Sequence, residues 1–115
     1  MKHHKAIREL SRTAKQRTAL LRSLAISLIE NGKIQTTEAK AKEMRPYVER
    51  LVTKAKANDL SARRTIASKI GEKCAKILVE KVAVEHKDRQ GGYLRIIKLP
   101  VRKSDAAKMA QIEFV

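Results

Sequence analysis

Residues 31–38, Asn-Gly-Lys-Ile-Gln-Thr-Thr-Glu, end one helix, form an extended segment and begin a second helix. Asn31-Gly32 supplies the left-handed residue that commonly ends a helix. Lys33–Thr36 predicts a short strand, and Thr36-Thr37-Glu38 provides an N-cap followed by an acid in the first helical turn. The stretch therefore predicts the order helix, strand, helix for the first half of the chain.

Apolar residues recur at helical spacing on both sides of this stretch. They predict a first helix over 12–31 and a second over 38–57. Pro46 removes one backbone donor from the second helix, and it disfavours a helical conformation for Arg45. We therefore expect a kink or a restart of the second helix near Arg45.

Two further helices and a hairpin are predicted in the second half. Asn58-Asp59 or Ser61 can cap a third helix, which Gly71 separates from a fourth that ends by His86. Strand formers then dominate 93–99, and 109–115 alternates with Ala110, Ile112 and Phe114 on one face. With a turn at 103–105, these two segments predict a C-terminal hairpin packed on the helices.

The charge of the chain indicates a polyanionic partner. Among its 115 residues, 27 Lys and Arg stand against 12 Asp and Glu, a formal net charge of +15. Residues 1–22 hold a single acid, Glu9, beside a dense group of cations and two histidines: Lys2, His3, His4, Lys5, Arg8, Arg12, Lys15, Arg17 and Arg22. Such an excess repels itself, so nucleic acid is the leading candidate partner. A solvated arm without a dedicated partner is the alternative.

Residues 1–11 are predicted to be a basic arm that folds on binding, because only Ile7 and Leu10 could join a core. Adjacent histidines without a third ligand rarely hold a metal, so His3 and His4 are expected to contact phosphates or bases. Aromatic residues make up only 3% of the chain, which argues against base stacking. Binding is therefore expected to depend on backbone charge and shape.

Other features exclude several classes of protein. The single cysteine, Cys74, cannot form an internal disulfide, which is typical of a protein of the reducing cytoplasm. Its spacing from Ile70 and Leu78 predicts a buried position. No apolar run is long enough for a membrane span, although the basic start leaves an organellar transit peptide as an alternative. No catalytic set, nucleotide-binding loop or metal quartet is present. We therefore expect neither an enzyme nor a cofactor, metal ion, membrane or small-molecule substrate.

Three groups of cations beyond residue 22 are weaker candidates. Arg63-Arg64 could bridge phosphates or simply face solvent. The cations of the second helix, Lys40, Lys42 and Arg45, alternate with Glu38, Glu43 and Glu49, which is the pattern of ordinary ion pairs within a helix. Gly91-Gly92 lets the backbone approach a bulky partner, and Arg89, Arg95 and Lys98 flank it. This turn is the most specific of the three signals.

The same residues carry a family resemblance that covers the chain from residue 3 to 115. Its blocks are His3 with Leu10 and Arg12, residues 17–22, Leu28-Ile29, residues 32–37, residues 39–43 with Arg45, Arg63-Arg64, residues 88–93, Arg95-Ile96, and Met109-Ala110 with Ile112-Glu113 and Val115. In this order and spacing they resemble the L-seventeen family of bacterial large-subunit ribosomal proteins. The chain departs from the family pattern at 13–16, at Leu94 and at 102–106.

The resemblance implies one α/β (α+β) domain over 1–115. About four helices would pack on a small mixed three-stranded sheet, formed by the 32–36 strand and the C-terminal hairpin, with the basic arm at 1–11. It implies a structural role in the cytoplasmic large ribosomal subunit, bound to ribosomal RNA and neighbouring ribosomal proteins near the peptide exit tunnel. The RNA-facing residues that it adds or repeats are His3, Lys5, Arg8, Arg12, Arg17, Arg22, Thr36, Thr37, Lys40, Arg45, Gly91, Gly92, Tyr93 and Arg95. A nucleoid-type architectural DNA-binding protein is the alternative.

Overall fold

The helices and the sheet follow the predicted order. The computed structural model describes residues 13–115, so the arm 1–11 and Arg12 lie outside the described residues. The first three helices and the strands are α1 (Ala14–Asn31), β1 (Lys33–Thr37), α2 (Glu38–Ala57), α3 (Leu60–Ile70), β2 (Leu94–Leu99) and β3 (Met109–Phe114). Between α3 and β2 lies the fourth helix, in which α4 (Glu72–Ile77) continues through a π-helical segment (Leu78–Val82) into a last turn (Ala83–Glu85). No helix within 13–115 is long and apolar enough to cross a membrane.

The predicted helix ends are confirmed in atomic detail. Gly32 is left-handed, with φ of 81°, and its N–H donates to the carbonyl of Leu28 at 2.7 Å. The Thr37 hydroxyl accepts the backbone N–H of Lys40 at 3.3 Å and caps α2. A side-chain oxygen of Asp59 caps α3 in the same way. The local sequence therefore fixes the boundaries of α1, β1 and α2.

The prediction that α2 restarts near Arg45 is wrong, because Pro46 lies inside one continuous helix. The carbonyl that loses its partner belongs to Lys42, four residues earlier on the exposed side, where water can replace the missing donor. On the opposite side Met44 and Val48 are fully buried. Packing of this apolar face holds the helix together across the proline.

The sheet has the order β1-β3-β2, and both strand pairs are antiparallel. Ile112 of β3 lies opposite Ile34 of β1 and Ile96 of β2. The fold class is as predicted, but the sheet is antiparallel and not mixed. The hairpin makes β2 and β3 antiparallel. β1 pairs with the other edge of β3 and also runs antiparallel to it.

One face of the sheet packs on the helices. Ala110 and Ile112 are fully buried there, beside Leu94. The helices contribute their apolar sides to the same cluster, chiefly Leu28 of α1, Met44, Val48 and Val52 of α2, Ile66 of α3 and Leu78 of the fourth helix. Cys74 is buried as predicted, and burial raises the pKa of its thiol. It therefore behaves as a small core residue.

The three departures from the family pattern each have a structural role. Gln16 completes a capping box with Thr13, in which backbone N–H groups and side-chain oxygens pair at 3.2 and 3.3 Å. Leu94 is buried in the core. In the hairpin loop, Arg102 pairs with Asp105 at 3.5 Å. These positions therefore serve the fold of this chain.

Candidate nucleic-acid interface

The exposed side of α1 carries two of the predicted cations. Lys15 and Arg22 are exposed and lie seven residues apart, so they share one side of the helix, while Arg17 is half-buried. The capping box at Thr13 fixes where this helix begins. The predicted contacts Lys2, His3, His4, Lys5, Arg8 and Arg12 precede it and lie outside the described residues. Lys15, Arg17 and Arg22 are thus the part of the basic region that the structure describes.

Arg22 of α1 lies near Tyr47 of α2. Burial raises the pKa of the half-buried Tyr47 hydroxyl, and the positive charges of Arg22 and Arg50 oppose that rise. Both guanidinium groups therefore lie close enough to Tyr47 to influence it. Arg50 was not among the residues predicted from the sequence, and it extends the basic side of α1 onto α2.

The Gly91-Gly92 turn is a cationic loop with an internal hydrogen bond. The φ angles of Gly91 and Gly92 are 95° and 61°, and residues with a side chain rarely adopt such positive values. Arg89 is exposed, and its guanidinium donates to the carbonyl of Gly92 at 3.4 Å. The turn therefore presents backbone and guanidinium groups together.

Lys56 of α2 fastens this turn to the domain. Its ammonium donates to the carbonyl of Arg89 and, at 3.3 Å, to the hydroxyl of Tyr93. The same ammonium lies 5.1 Å from the centre of the Tyr93 ring. A hydrogen bond with Thr53, and a weaker one with Lys56, lowers the pKa of the Tyr93 hydroxyl. We call these contacts of Lys56 with Arg89 and Tyr93 the Lys56 clamp.

Tyr93 differs from its prediction as an RNA-facing residue. It is only 2% exposed, and its ring packs edge-on against buried His86, with 6.0 Å between the ring centres. A ring in this position cannot stack on a base. Tyr93 therefore supports the turn from below, while Arg89, Gly91 and Gly92 form its outer surface.

Several other predicted residues take part in local contacts of the fold. Thr36 is half-buried in β1, opposite Ala110. The Thr37 hydroxyl accepts the backbone N–H of Lys40 and so caps α2. Lys40 is also half-buried. Arg45 pairs with Glu49 at 3.4 Å, as its spacing predicted. The side chains of Thr37 and Arg45 thus stabilise α2, so any contact with RNA would add to that role.

The remaining predicted cations lie on separate surfaces. Arg63 and Arg64 are exposed on the first turns of α3. Arg95 pairs with Glu113 at 3.4 Å on the outer face of the sheet, whereas Lys98 lies three residues on, on the other face, where its charge reaches Glu38. Because α2 is about 30 Å long, Glu38 at its start is far from the clamp at its end. Lys98 and the turn are therefore not one site.

Sequence reasoning missed the basic residues Arg50, Lys54 and Lys56. The role of Lys56 depends on residues 33 and 37 positions away, which no local pattern reveals. Arg50 and Lys54 could have been found from their spacing of four residues on the side opposite the apolar face. Within 13–115 no group of three His, Cys, Asp or Glu residues is arranged to hold a metal ion.

Comparison with known proteins shows which family the chain belongs to. The sequence profile described as Ribosomal protein L17 matches residues 20–115. Two proteins named large ribosomal subunit protein bL17, from Campylobacter jejuni (strain 81-176) and Gemmatimonas aurantiaca, are 50% and 51% identical over 116 residues. The alignments include all of this chain and 99% and 98% of those proteins. A third, from Nautilia profundicola, is 48% identical over 120 residues. The chain belongs to the ribosomal protein L17 family.

Proposed function

We propose that this protein is a structural constituent of the cytoplasmic large ribosomal subunit, where it binds ribosomal RNA and contacts neighbouring ribosomal proteins. The observation that supports this most strongly is the full-length similarity to proteins named as large-subunit components, at about half of all positions. The family consists of ribosomal proteins and not of enzymes. The family resemblance further suggests a position near the peptide exit tunnel.

The RNA contacts that we propose lie in the basic arm 1–11, on the exposed side of α1 and at the Gly91-Gly92 turn. The net charge of +15 supports phosphate binding as the main source of affinity. The buried position of Tyr93 and the low aromatic content support recognition of RNA shape, with phosphate and 2′-hydroxyl contacts in place of base stacking.

A salt titration with the full chain tests this function. Binding to large-subunit ribosomal RNA should weaken steeply as salt rises, and replacing Arg12, Arg17 and Arg22 together by Gln should reduce the slope of log K against log salt by roughly 2 to 3. Helical circular dichroism should be unchanged in this variant. Affinity for ribosomal RNA that does not depend on salt would contradict the proposal. Equal or tighter binding to duplex DNA would favour the architectural DNA-binding alternative.

A further inference from the structure

We infer that the exposed side of α2 from Pro46 to Lys54 is a phosphate-binding surface for ribosomal RNA, with Arg50 and Lys54 contacting the RNA backbone. We call it the α2 bridge, because it lies between the basic side of α1 and the Gly91-Gly92 turn. The inference rests on the proposed function and adds residues that neither the sequence prediction nor the family resemblance assigned.

The first flank of the α2 bridge adjoins α1. Tyr47 is half-buried, and the charges of Arg22 and Arg50 both act on its hydroxyl. Arg50 stands three residues after Tyr47, so it lies one helical turn further along the same region of α2. Arg22 of α1 and Arg50 of α2 therefore both lie near Tyr47.

The second flank adjoins the turn. Thr53 lies on α2 one turn after Glu49, close enough to the Tyr93 hydroxyl to lower its pKa. Lys56 clamps the carbonyl of Arg89 three residues further on. The turn is thus held against α2 at Lys56, two residues beyond the end of the α2 bridge.

Between these flanks the surface is shallow, concave and positively charged. The residues that line it are Pro46, Glu49, Arg50, Thr53 and Lys54. Its single acid, Glu49, already pairs with Arg45 at 3.4 Å. Arg50 and Lys54 are both exposed, and their spacing of four residues puts them about 6 Å apart along the helix axis. Two neighbouring cations in a concave surface suit a phosphate backbone.

The distribution of charge among the helices favours this side of the molecule. The second part of α2, residues 45–57, contains four Lys and Arg but only one Asp or Glu. Residues 72–85, on the fourth helix, contain three Lys and three Glu. A general need for solubility would not concentrate the excess on one segment. The fourth helix therefore supplies matched control positions, of which Lys76 and Lys81 are both exposed.

The test compares two double variants of the full chain: Arg50→Gln with Lys54→Gln, and Lys76→Gln with Lys81→Gln. Each loses two positive charges, so a non-specific effect of net charge would be equal in both. For large-subunit ribosomal RNA, we expect the α2 variant to lower the salt slope by roughly 1.4 to 1.8, and the control to leave it nearly unchanged. Equal loss in both variants, or no loss in the α2 variant, would overturn the inference.

A lysine footprint on the unmodified protein gives an independent readout. Acetylation of Lys54 should be reduced in the complex with ribosomal RNA, while Lys76 and Lys81 should react as in the protein alone. A Lys54 that reacts equally with and without RNA would overturn the inference even if the variants were unstable. If the unmodified protein does not bind ribosomal RNA at all, the proposed function fails, which is a different result from either of these.

Discussion

Replacing Lys56 by Met tests whether the Lys56 clamp holds the Gly91-Gly92 turn. The substitution keeps a side chain of similar length and removes the ammonium that contacts Arg89 and Tyr93. We expect the folded protein to lose stability and the turn to become more mobile. The core cluster should stay intact, because Lys56 is only half-buried at its edge.

The expected loss follows from the contacts removed. A cation over an aromatic ring contributes about 1 kcal/mol at a partly exposed site. The hydrogen bonds to the Arg89 carbonyl and the Tyr93 hydroxyl contribute about 1 kcal/mol together after solvent competition. The free energy of unfolding should therefore fall by about 2 kcal/mol. For a domain of this size that corresponds to a decrease in Tm of roughly 6 to 10 °C.

Chemical denaturation followed by circular dichroism measures the global loss, and hydrogen exchange of the amides in 88–93 measures the local one. Lys54→Met is the control, because this exposed lysine lies two residues away and lines the α2 bridge with Pro46 and Arg50. Equal stability of the two variants, together with unchanged exchange at the turn, would refute the clamp.

Three other predictions follow from the geometry. Leu28→Ala should lower the free energy of unfolding by roughly 3 kcal/mol in urea denaturation, since Leu28 is fully buried; a loss below about 1 kcal/mol would contradict its place in the core. Gly92→Ala should lower the free energy of unfolding by about 1 kcal/mol in the same assay, because residue 92 has a φ of 61°, which alanine disfavours. No atom lies within 4 Å of the added carbon, so crowding adds nothing to this loss. An increase in stability would refute the left-handed turn. Absorbance of tyrosinate should show that Tyr93 ionises at lower pH than Tyr47, because hydrogen bonds lower the pKa of Tyr93 and burial raises the pKa of Tyr47. In the Tyr47→Phe variant, the ionisation step at higher pH should vanish. Loss of the step at lower pH instead would contradict this order.

Tyr47 should contribute to the loss of stability at alkaline pH, together with the buried Cys74 thiol. The pKa of Tyr47 is raised in the folded protein, so burying the neutral hydroxyl stabilises the fold below the unfolded pKa of about 10, and this contribution is lost as the pH rises through the folded value. Tyr47→Phe should reduce that loss in denaturation experiments at alkaline pH. An unchanged alkaline loss in this variant would assign it to other groups.

Elements whose signals are local were predictable from the sequence. Gly32 and Thr37 set the ends of α1 and α2 through their own backbone preferences and hydrogen bonds. The alternation of Ala110, Ile112 and Phe114 predicted the inner side of β3 because side chains alternate along a strand. These features depend on residues within a few positions of each other.

Features that depend on packing were not predictable in this way. Pro46 would end an isolated helix, yet buried Met44 and Val48 keep α2 continuous. The π-helical segment Leu78–Val82 has no local sequence signal, and the N–H of Ala83 donates to Leu78 as a result. The antiparallel order of the sheet depends on which edge of β3 receives β1.

The candidate interface was likewise predictable only where its signals are local in sequence. The charge of the chain and the glycines of the turn predicted that a polyanion would be bound and identified the turn as a candidate. The sequence did not reveal that Tyr93 lies beneath the turn, nor that Lys56 reaches Arg89 across 33 positions. Both facts arise when α2 packs against the segment that leads into β2.

The most direct test of the central claim is the quantity of this protein in purified large ribosomal subunits. Subunits should be separated on sucrose gradients and washed with salt, and the protein measured by mass spectrometry against other large-subunit proteins. We predict about one copy per large subunit, retained after the wash. Recovery of the protein only in free or DNA-associated fractions would contradict the account.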